Sequence, residues 1–399
     1  MNEISDERRR ARCVAVIVLD SVGIGGAPDA GDFGDEGSAT LQHTAAAVGG
    51  ISLPHLGGYG LGRIVSIAGV APEEAPSGAF GAMIERSPGK DTTTGHWEIA
   101  GVVLDQPFPT YPRGFPPEVM DAFEEAIGSD TLGNKAASGT EIIAELGEQH
   151  VRTGRPIVYT SADSVFQVAA HLDVVPLERL YEMCRIARNI MRGPHEVGRV
   201  IARPFRGEPG DFERTPDRHD FSVTPPHDTV LDDICRAGLE VRGVGKIGDI
   251  FAGRGVTSSR PTRSNDEGVS AVVEELSTIT RGLVFANLVD FDQSFGHRND
   301  PQGYAGALED FDRRLPMIVD ALGPDDVLVI TADHGNDPTT ASTDHSRERV
   351  PLIVVGDCVR AGTDLGERST YSDCGVTVAG LLGVTTQVSG TSFAGALRG

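Results

Sequence analysis

The chain contains no Cys-x-x-Cys pair, and its five cysteines (Cys13, Cys184, Cys235, Cys358 and Cys374) are scattered. That pattern excludes a disulfide framework and a thiolate zinc site, leaving most of them as small core residues. No apolar run approaches the length needed to cross a bilayer. Positive charge is scarce, with a formal net charge of −23. A surface this acidic repels nucleic acid and anionic membranes, so neither is an expected partner. It repels phosphate esters too, so a phosphate substrate would need positive charge concentrated at its site by metals and a few placed arginines. A targeting segment is also missing. Arg8 to Arg12 is basic and Val14–Leu19 is apolar, but the run is short and ends at Asp20. The expectation is a short exposed tail, then a first strand, in a cytoplasmic protein.

Two familiar phosphate signatures are absent as well. Gly89-Lys90 is followed by Asp91 and lacks the upstream glycine, so it is not a P-loop. Gly58-Tyr59-Gly60-Leu61-Gly62 has the wrong spacing for a dinucleotide fingerprint and no strand before it.

What is present supports a large α/β protein. A length of 399 residues allows two domains, or one domain with an insertion, and a hydrophobic content of 39% predicts a sizeable core. The apolar, β-branched runs Val14–Leu19, Leu283–Val289, Val327–Thr331 and Pro351–Val355 read as strands buried on both faces of a parallel sheet. Between them, Ala305 to Leu322 places Leu308, Phe311, Leu315 and Ile318 on one helix face, with a kink expected at Pro316. From about Asp105 to Pro226 the chain is rich in Pro, Arg and aromatics, with proline clusters at both ends. This predicts a core domain over 1–105 and 225–399, interrupted by an inserted domain over 106–224.

Three of the strand-like runs end in metal-ligand chemistry. The first meets Asp20. The second meets Asp290-Phe291-Asp292, with His297 five residues on. The third meets Asp333-His334, and His345 follows. In an open parallel sheet, ligands bind beyond the carboxyl ends of the strands. Three Asp and three His exceed the needs of one metal with an open position and suit two. Taken singly, Asp20 reads equally well as a turn or cap residue, and His297 or His345 reads better as a satisfied structural residue. The recurrence after three strands favours the metal. If the strand continued through them, Asp290 and Asp292 would share a side, and the residues alone do not choose between them.

In Gly89-Lys-Asp-Thr-Thr-Thr-Gly-His-Trp-Glu98, Asp91 or a threonine is placed to cap a following helix, and a helix N-terminus attracts phosphate. Any of the three hydroxyls becomes a plausible nucleophile once a metal lowers its pKa; alone, the segment reads as an ordinary capping loop. Arg199, Arg203, Arg206, Arg214 and Arg218 are nearly balanced by Glu208, Asp211, Glu213 and Asp217, as on a salt-bridged surface. Arg203 follows an apolar stretch, which favours fixed placement as a phosphate fork. Asp163, in Thr160-Ser161-Ala162-Asp163-Ser164, suits either sugar hydroxyls or a helix cap.

Taken together, these residues resemble the phosphopentomutase family of the alkaline phosphatase superfamily, related to cofactor-independent phosphoglycerate mutases. The matching stretches are Asp20–Gly25, Gly89–Glu98, Thr160–Ser164, Gly198–Phe205, Asn287–Asp292, Thr331–Asp337 and Thr343–His345. The resemblance implies an alkaline-phosphatase-like core, a mostly parallel sheet flanked by helices, with an inserted smaller α/β cap domain. It implies an isomerase of nucleoside catabolism that interconverts the 1-phosphate and 5-phosphate of ribose or deoxyribose. By the same resemblance, Thr92 carries the phosphoryl group and bridges to the metals. Asp292, His297 and His345 hold one metal, and Asp20, Asp333 and His334 the other. The resemblance further implies two Mn2+, with Mg2+, Zn2+ or Co2+ as substitutes, and a primer such as glucose 1,6-bisphosphate. Ser161, Asp163, Arg199, Arg203 and Lys246 fall where sugar-phosphate contacts are implied, in a monomer. The rivals are a metal-dependent phosphatase or phosphodiesterase, a mutase of three-carbon acids (whose nucleophile is typically Ser), and a non-catalytic sugar-phosphate binder.

Overall fold

The structure, a computed structural model, describes residues 10–161 and 163–398. The tail expected before Cys13 therefore lies, up to residue 9, outside the described residues. The chain divides into two compact units: Met1–Gln106 with Pro225–Gly399, and Pro107–Thr224.

The first unit is built on an eight-stranded sheet. Cys13–Leu19, Gly282–Leu288 and Val327–Thr331 are buried at every position, as continuous β-branched runs require when both faces are covered. Cys13–Leu19 lies between the other two and runs parallel to both. Leu19 stands opposite Leu288, and Val18 opposite Thr331. Because these pairs are level, the chain leaves all three strands at one edge of the sheet.

One expected strand differs in direction. Val350–Val355 is buried throughout but runs antiparallel to both Val327–Thr331 and Ala79–Met83. An apolar run reports burial, not direction. The link over 332–349 contains no helix to carry the chain back to the far end, so the strand returns antiparallel. The other five pairings in this sheet are parallel.

The long helix is Pro301–Asp320. It starts a turn before residue 305 because Asp300 caps it, accepting from Gly303 N at 2.9 Å, and Pro301 needs no donor at the first position. It continues through Pro316. The Gly58–Gly62 stretch falls in two short helices, Pro54–Gly58 and Leu61–Ile64. Gly60 is needed for packing: a Cβ there would lie 2.6 Å from the Phe80 ring.

The second unit has a six-stranded mixed sheet with apolar clusters on it. Phe123, Phe166 and Phe205 are fully buried, each worth about 1.5–3 kcal/mol by burial. Ile157–Thr160 and Val165–His171 pair antiparallel, so Asp163 sits in the turn between two strands. The helix cap considered for it is therefore excluded. Among the described residues, no helix is long and apolar enough to cross a membrane.

Candidate metal centre

Asp20 is the first residue beyond its strand, fixed by its N–H on Leu288 O at 3.1 Å. Ser21 then turns sharply, at φ 72°, a conformation costing a non-glycine residue of order 1–3 kcal/mol. It is held there by Asp333 Oδ1, which accepts from Ser21 N at 3.1 Å, and by contact with Tyr304. Asn287 Nδ2 donates to Asp20 Oδ2 at 2.9 Å, leaving Oδ1 directed elsewhere. His334 Nδ1 lies 3.0 Å from Gly335 O. A carbonyl only accepts, so Nδ1 carries a proton and Nε2 is the nitrogen that faces the cluster. That Nε2 is 3.4 Å from Asp20 Oδ1, 3.4 Å from Asp333 Oδ2 and 3.2 Å from Thr92 Oγ1.

Beside this cluster stands another. The strand stops at Leu288, and Phe291–Phe295 forms one π-helical turn, as often seen at functional sites. Asp290 and Asp292 are thereby separated, and the shared side that a continuing strand would give them does not arise. Asp290 Oδ2 accepts from Asn265 N at 2.7 Å, at the start of the Asn265–Thr278 helix. Asp292 turns to the histidines, with Oδ2 3.1 Å from His297 Nε2 and Oδ1 3.6 Å from His345 Nε2. His297 Nδ1 donates to Thr343 O at 2.7 Å, and Asn336 Nδ2 donates to Asp292 Oδ1 at 2.8 Å. These outer partners orient the ligands as metal sites require.

Among the described residues of the first unit, the groups with ligand atoms mutually within 4.8 Å are Asp20, Asp333 and His334, and Asp292, His334 and His345. His334 thus sits between the clusters. His297 lies at the margin, its ring 4.8 Å from that of His345. Asp20 Oδ1, Asp333 Oδ2 and His345 Nε2 are buried without a hydrogen-bond partner. Each would cost about 1–3 kcal/mol if left so. Two orphaned oxygens in one cluster and an orphaned imidazole nitrogen in the other fit divalent cations, and an N/O donor set suits Mn, Mg or Zn.

The electrostatics agree. Burial pushes the Asp292 carboxyl up, but His345 and His297 outweigh it and hold it well below the usual range. Asp333 is likewise lowered against its burial by His334 and His96. Burial pushes His334 down, yet Asp333, Asp20 and Asp292 raise it well above its ordinary value. The pocket demands positive charge.

The helix Thr92–Ile99 brings in the hydroxyl. Asp91 Oδ1 accepts from Thr93 N and Thr94 N at 3.0 and 3.1 Å, and its Oδ2 accepts from Thr94 Oγ1 at 2.6 Å. Thr94 is spent on the cap, and Thr93 is buried. Thr92 is the threonine whose hydroxyl meets His334. The helix packs so tightly that a Cβ on Gly95 would lie 2.3 Å from Asp333 O.

Sequence reasoning assigned no role to Asn287, Asn336 or His96. His96 is fully buried; its Nδ1 is 2.9 Å from Thr92 O and 3.1 Å from Asp333 Oδ2. Its helical i,i+4 spacing from Thr92 was the available signal.

Within the second unit, Arg199 lies 3.5 Å from Asp163 and 3.6 Å from Asp220. Arg203 donates to Gln167 Oε1 at 2.9 Å, and its Nε is buried without a partner. Burial lowers the Arg203 pKa. Arg218 forks onto Asp220 at 2.7 and 2.6 Å, while Arg206 and Arg214 are exposed. Ser161 is half-buried beside Arg199's partner turn; Lys246, in the first unit, is half-buried before the short helix Ile247–Ile250.

Residues 12–386 match the metalloenzyme superfamily. The phosphopentomutase of Caldanaerobacter subterraneus subsp. tengcongensis is 57% identical over 380 residues, 95% of this chain and 96% of its own. That of Anaeromyxobacter dehalogenans is 58% identical over 391 residues, 98% of each chain. Similarity to these enzymes over nearly the whole chain joins a carboxylate–imidazole centre suited to divalent metal, and this chain belongs to the phosphopentomutase family of the metalloenzyme superfamily.

Proposed function

We propose that this chain interconverts the 1-phosphate and 5-phosphate of ribose or deoxyribose through a phosphothreonine at Thr92 and a bisphosphate intermediate. The observation that carries this reading is the Thr92 hydroxyl, 3.2 Å from a buried His334 that belongs to both ligand clusters. In the proposed division, Asp292, His297 and His345 would hold one cation, and Asp20, Asp333 and His334 the other, with the Thr92 hydroxyl beside His334. Two Mn2+, when bound there, would supply charge stabilisation for attacking and leaving oxygens; Mg2+, Zn2+ and Co2+ are the candidate substitutes.

The rest is done by side chains. The P–Oγ bond of phospho-Thr92 breaks as a bond forms to the sugar's free hydroxyl, whose proton ends on Thr92 Oγ1. The bisphosphate reorients, and the other phosphoryl group returns to Thr92 by the reverse exchange. Asp91 holds the helix N-terminus, so Thr92 keeps its position throughout. Ser161, Asp163, Arg199, Arg203 and Lys246 are the proposed sugar-phosphate contacts, Arg203 by its unspent Nε. A bisphosphosugar such as glucose 1,6-bisphosphate primes Thr92. We place the enzyme in the cytoplasm, as a monomer, in nucleoside catabolism.

The test is turnover of ribose 1-phosphate with each metal, with and without primer. Primer-dependent appearance of the 5-phosphate is expected, with phosphothreonine at Thr92 by mass spectrometry. Stoichiometric release of inorganic phosphate instead would favour a phosphatase and overturn the proposal.

A further inference from the structure

Arg347 is among the largest fully buried side chains, yet it is charged and does not enter the metal centre. Its guanidinium lies in the first unit, two residues beyond His345. Nη1 donates to Glu85 Oε2 at 2.7 Å, Ser87 O at 2.7 Å and Gly89 O at 2.6 Å. Nη2 donates to Glu85 O at 2.6 Å and to Asp29 Oδ2 at 2.9 Å, and Nε contacts both Asp29 oxygens. The Phe33 ring covers the group at 4.9 Å. One cation therefore collects three backbone carbonyls of the segment that delivers Thr92.

Those carbonyls belong to an irregular turn between the Ala79–Met83 strand and the Thr92–Ile99 helix. Such a turn has no ladder to define it, so side chains hold it: Glu98 accepts from Arg86 N and Ser87 N at 2.8 and 2.6 Å, and Arg347 takes the carbonyls. A parallel tie runs alongside. Asp35 Oδ2 accepts from Arg347 N at 2.9 Å and pairs with Lys90 Nζ at 3.1 Å, which in turn is 3.6 Å from Asp344. The turn before the nucleophile is thus fastened on two sides to the segment bearing His345. Burying a charged group is weak support for stability, since apolar replacements often do as well. A guanidinium gathering several carbonyls at once does something apolar packing does not: it sets a distance.

We propose that Arg347 is a positioning residue, which fixes the Thr92 hydroxyl relative to the His345 side of the metal centre. This rests on the assignment of Thr92 as the nucleophile. A displacement of about 1 Å costs roughly 10²-fold in rate, so the effect falls on kcat rather than on KM.

The experiment compares wild type, Arg347→Lys and Gly89→Ala as metal-loaded full chains. Lysine keeps the charge but not the fork. Alanine at 89 places a Cβ 2.8 Å from Thr94 and shifts the turn with Arg347 intact. Both variants should lose on the order of 10–100-fold in kcat with KM nearly unchanged. Both should show faster hydrogen exchange in the 85–92 peptide and unchanged exchange in the Cys13–Leu19 strand. Wild-type kcat and local protection in Arg347→Lys, with only a lower Tm, would overturn the proposal. If Arg347→Lys fails to fold, wild-type kcat in Gly89→Ala overturns it, because rate would then be insensitive to the turn's position. Absence of mutase turnover in the wild type would instead sink the assigned reaction, and the exchange measurement would still judge the positioning role.

Discussion

The two ligand clusters are made of the same residue types but rest on different supports. Asp20 and Asp333 sit at strand ends, and with His334 their side chains are at most 1% exposed. Asp292 and His297 sit on a π-helical turn and the helical turn after it, and the His297 side chain is 36% exposed. The first cluster inherits its geometry from hydrogen-bonded register. The second depends on side-chain ties, such as Asn336 to Asp292 and His297 to the Thr343 carbonyl. The first should therefore be rigid and hold its cation tightly, and the second should be the more exchangeable.

The largest effect should come from Thr92→Ala, which removes the hydroxyl beside His334, the residue common to both clusters. Turnover should be abolished while two metals per chain remain measurable by elemental analysis; appreciable mutase activity would end the nucleophile assignment. Next, Asp333→Asn should lower kcat about 10²–10³-fold, a loss that added Mn2+ does not restore. His297→Gln should weaken metal affinity about 10–100-fold, with activity recovering as Mn2+ is raised. Equal, unrescuable losses in these two variants would break the comparison. Away from the metals, Arg203→Ala should raise KM about tenfold, as loss of one charge-assisted hydrogen bond implies; unchanged kinetics would return Arg203 to a structural role.

The smallest effect concerns pH. In chelated enzyme, the carboxylates raise the folded pKa of His334 well above its ordinary 6.5. The stability this contributes is complete below the unfolded value and is lost as pH rises through the folded one. Calorimetry of the chelated protein should show Tm falling by about 2 °C over that upward range, and the metal-loaded protein should not show the decline.

Legibility in the sequence follows the same divide. Asp20, Asp333 and His334 were readable because a buried strand announces itself by composition and its end by the first polar residue. The Asp290–Asp292 choice was not readable from pattern, because nothing in the local residues signals that the strand stops at Leu288 and a π-turn begins. The direction of Val350–Val355 was hidden for a related reason, since antiparallel and parallel buried strands have one composition. His96 offered only its spacing from Thr92, while its contact with Asp333 lies far off in sequence, and Arg347 meets Asp29 across 318 residues.

The central position of the Cys13–Leu19 strand has a consequence for biosynthesis. This strand is translated early, but its neighbour arrives late: Asn287, which clasps Asp20, follows it by 267 residues. At ordinary ribosomal speeds the wait is roughly ten seconds to a minute. Throughout it, an apolar strand destined for the middle of the sheet has no partner on either side, while the inserted unit, contiguous from Pro107 to Thr224, emerges whole. The insert can mature first on the nascent chain. The first unit's sheet closes only near the end of synthesis, because Cys13–Leu19 pairs with Gly282–Leu288 and Val327–Thr331.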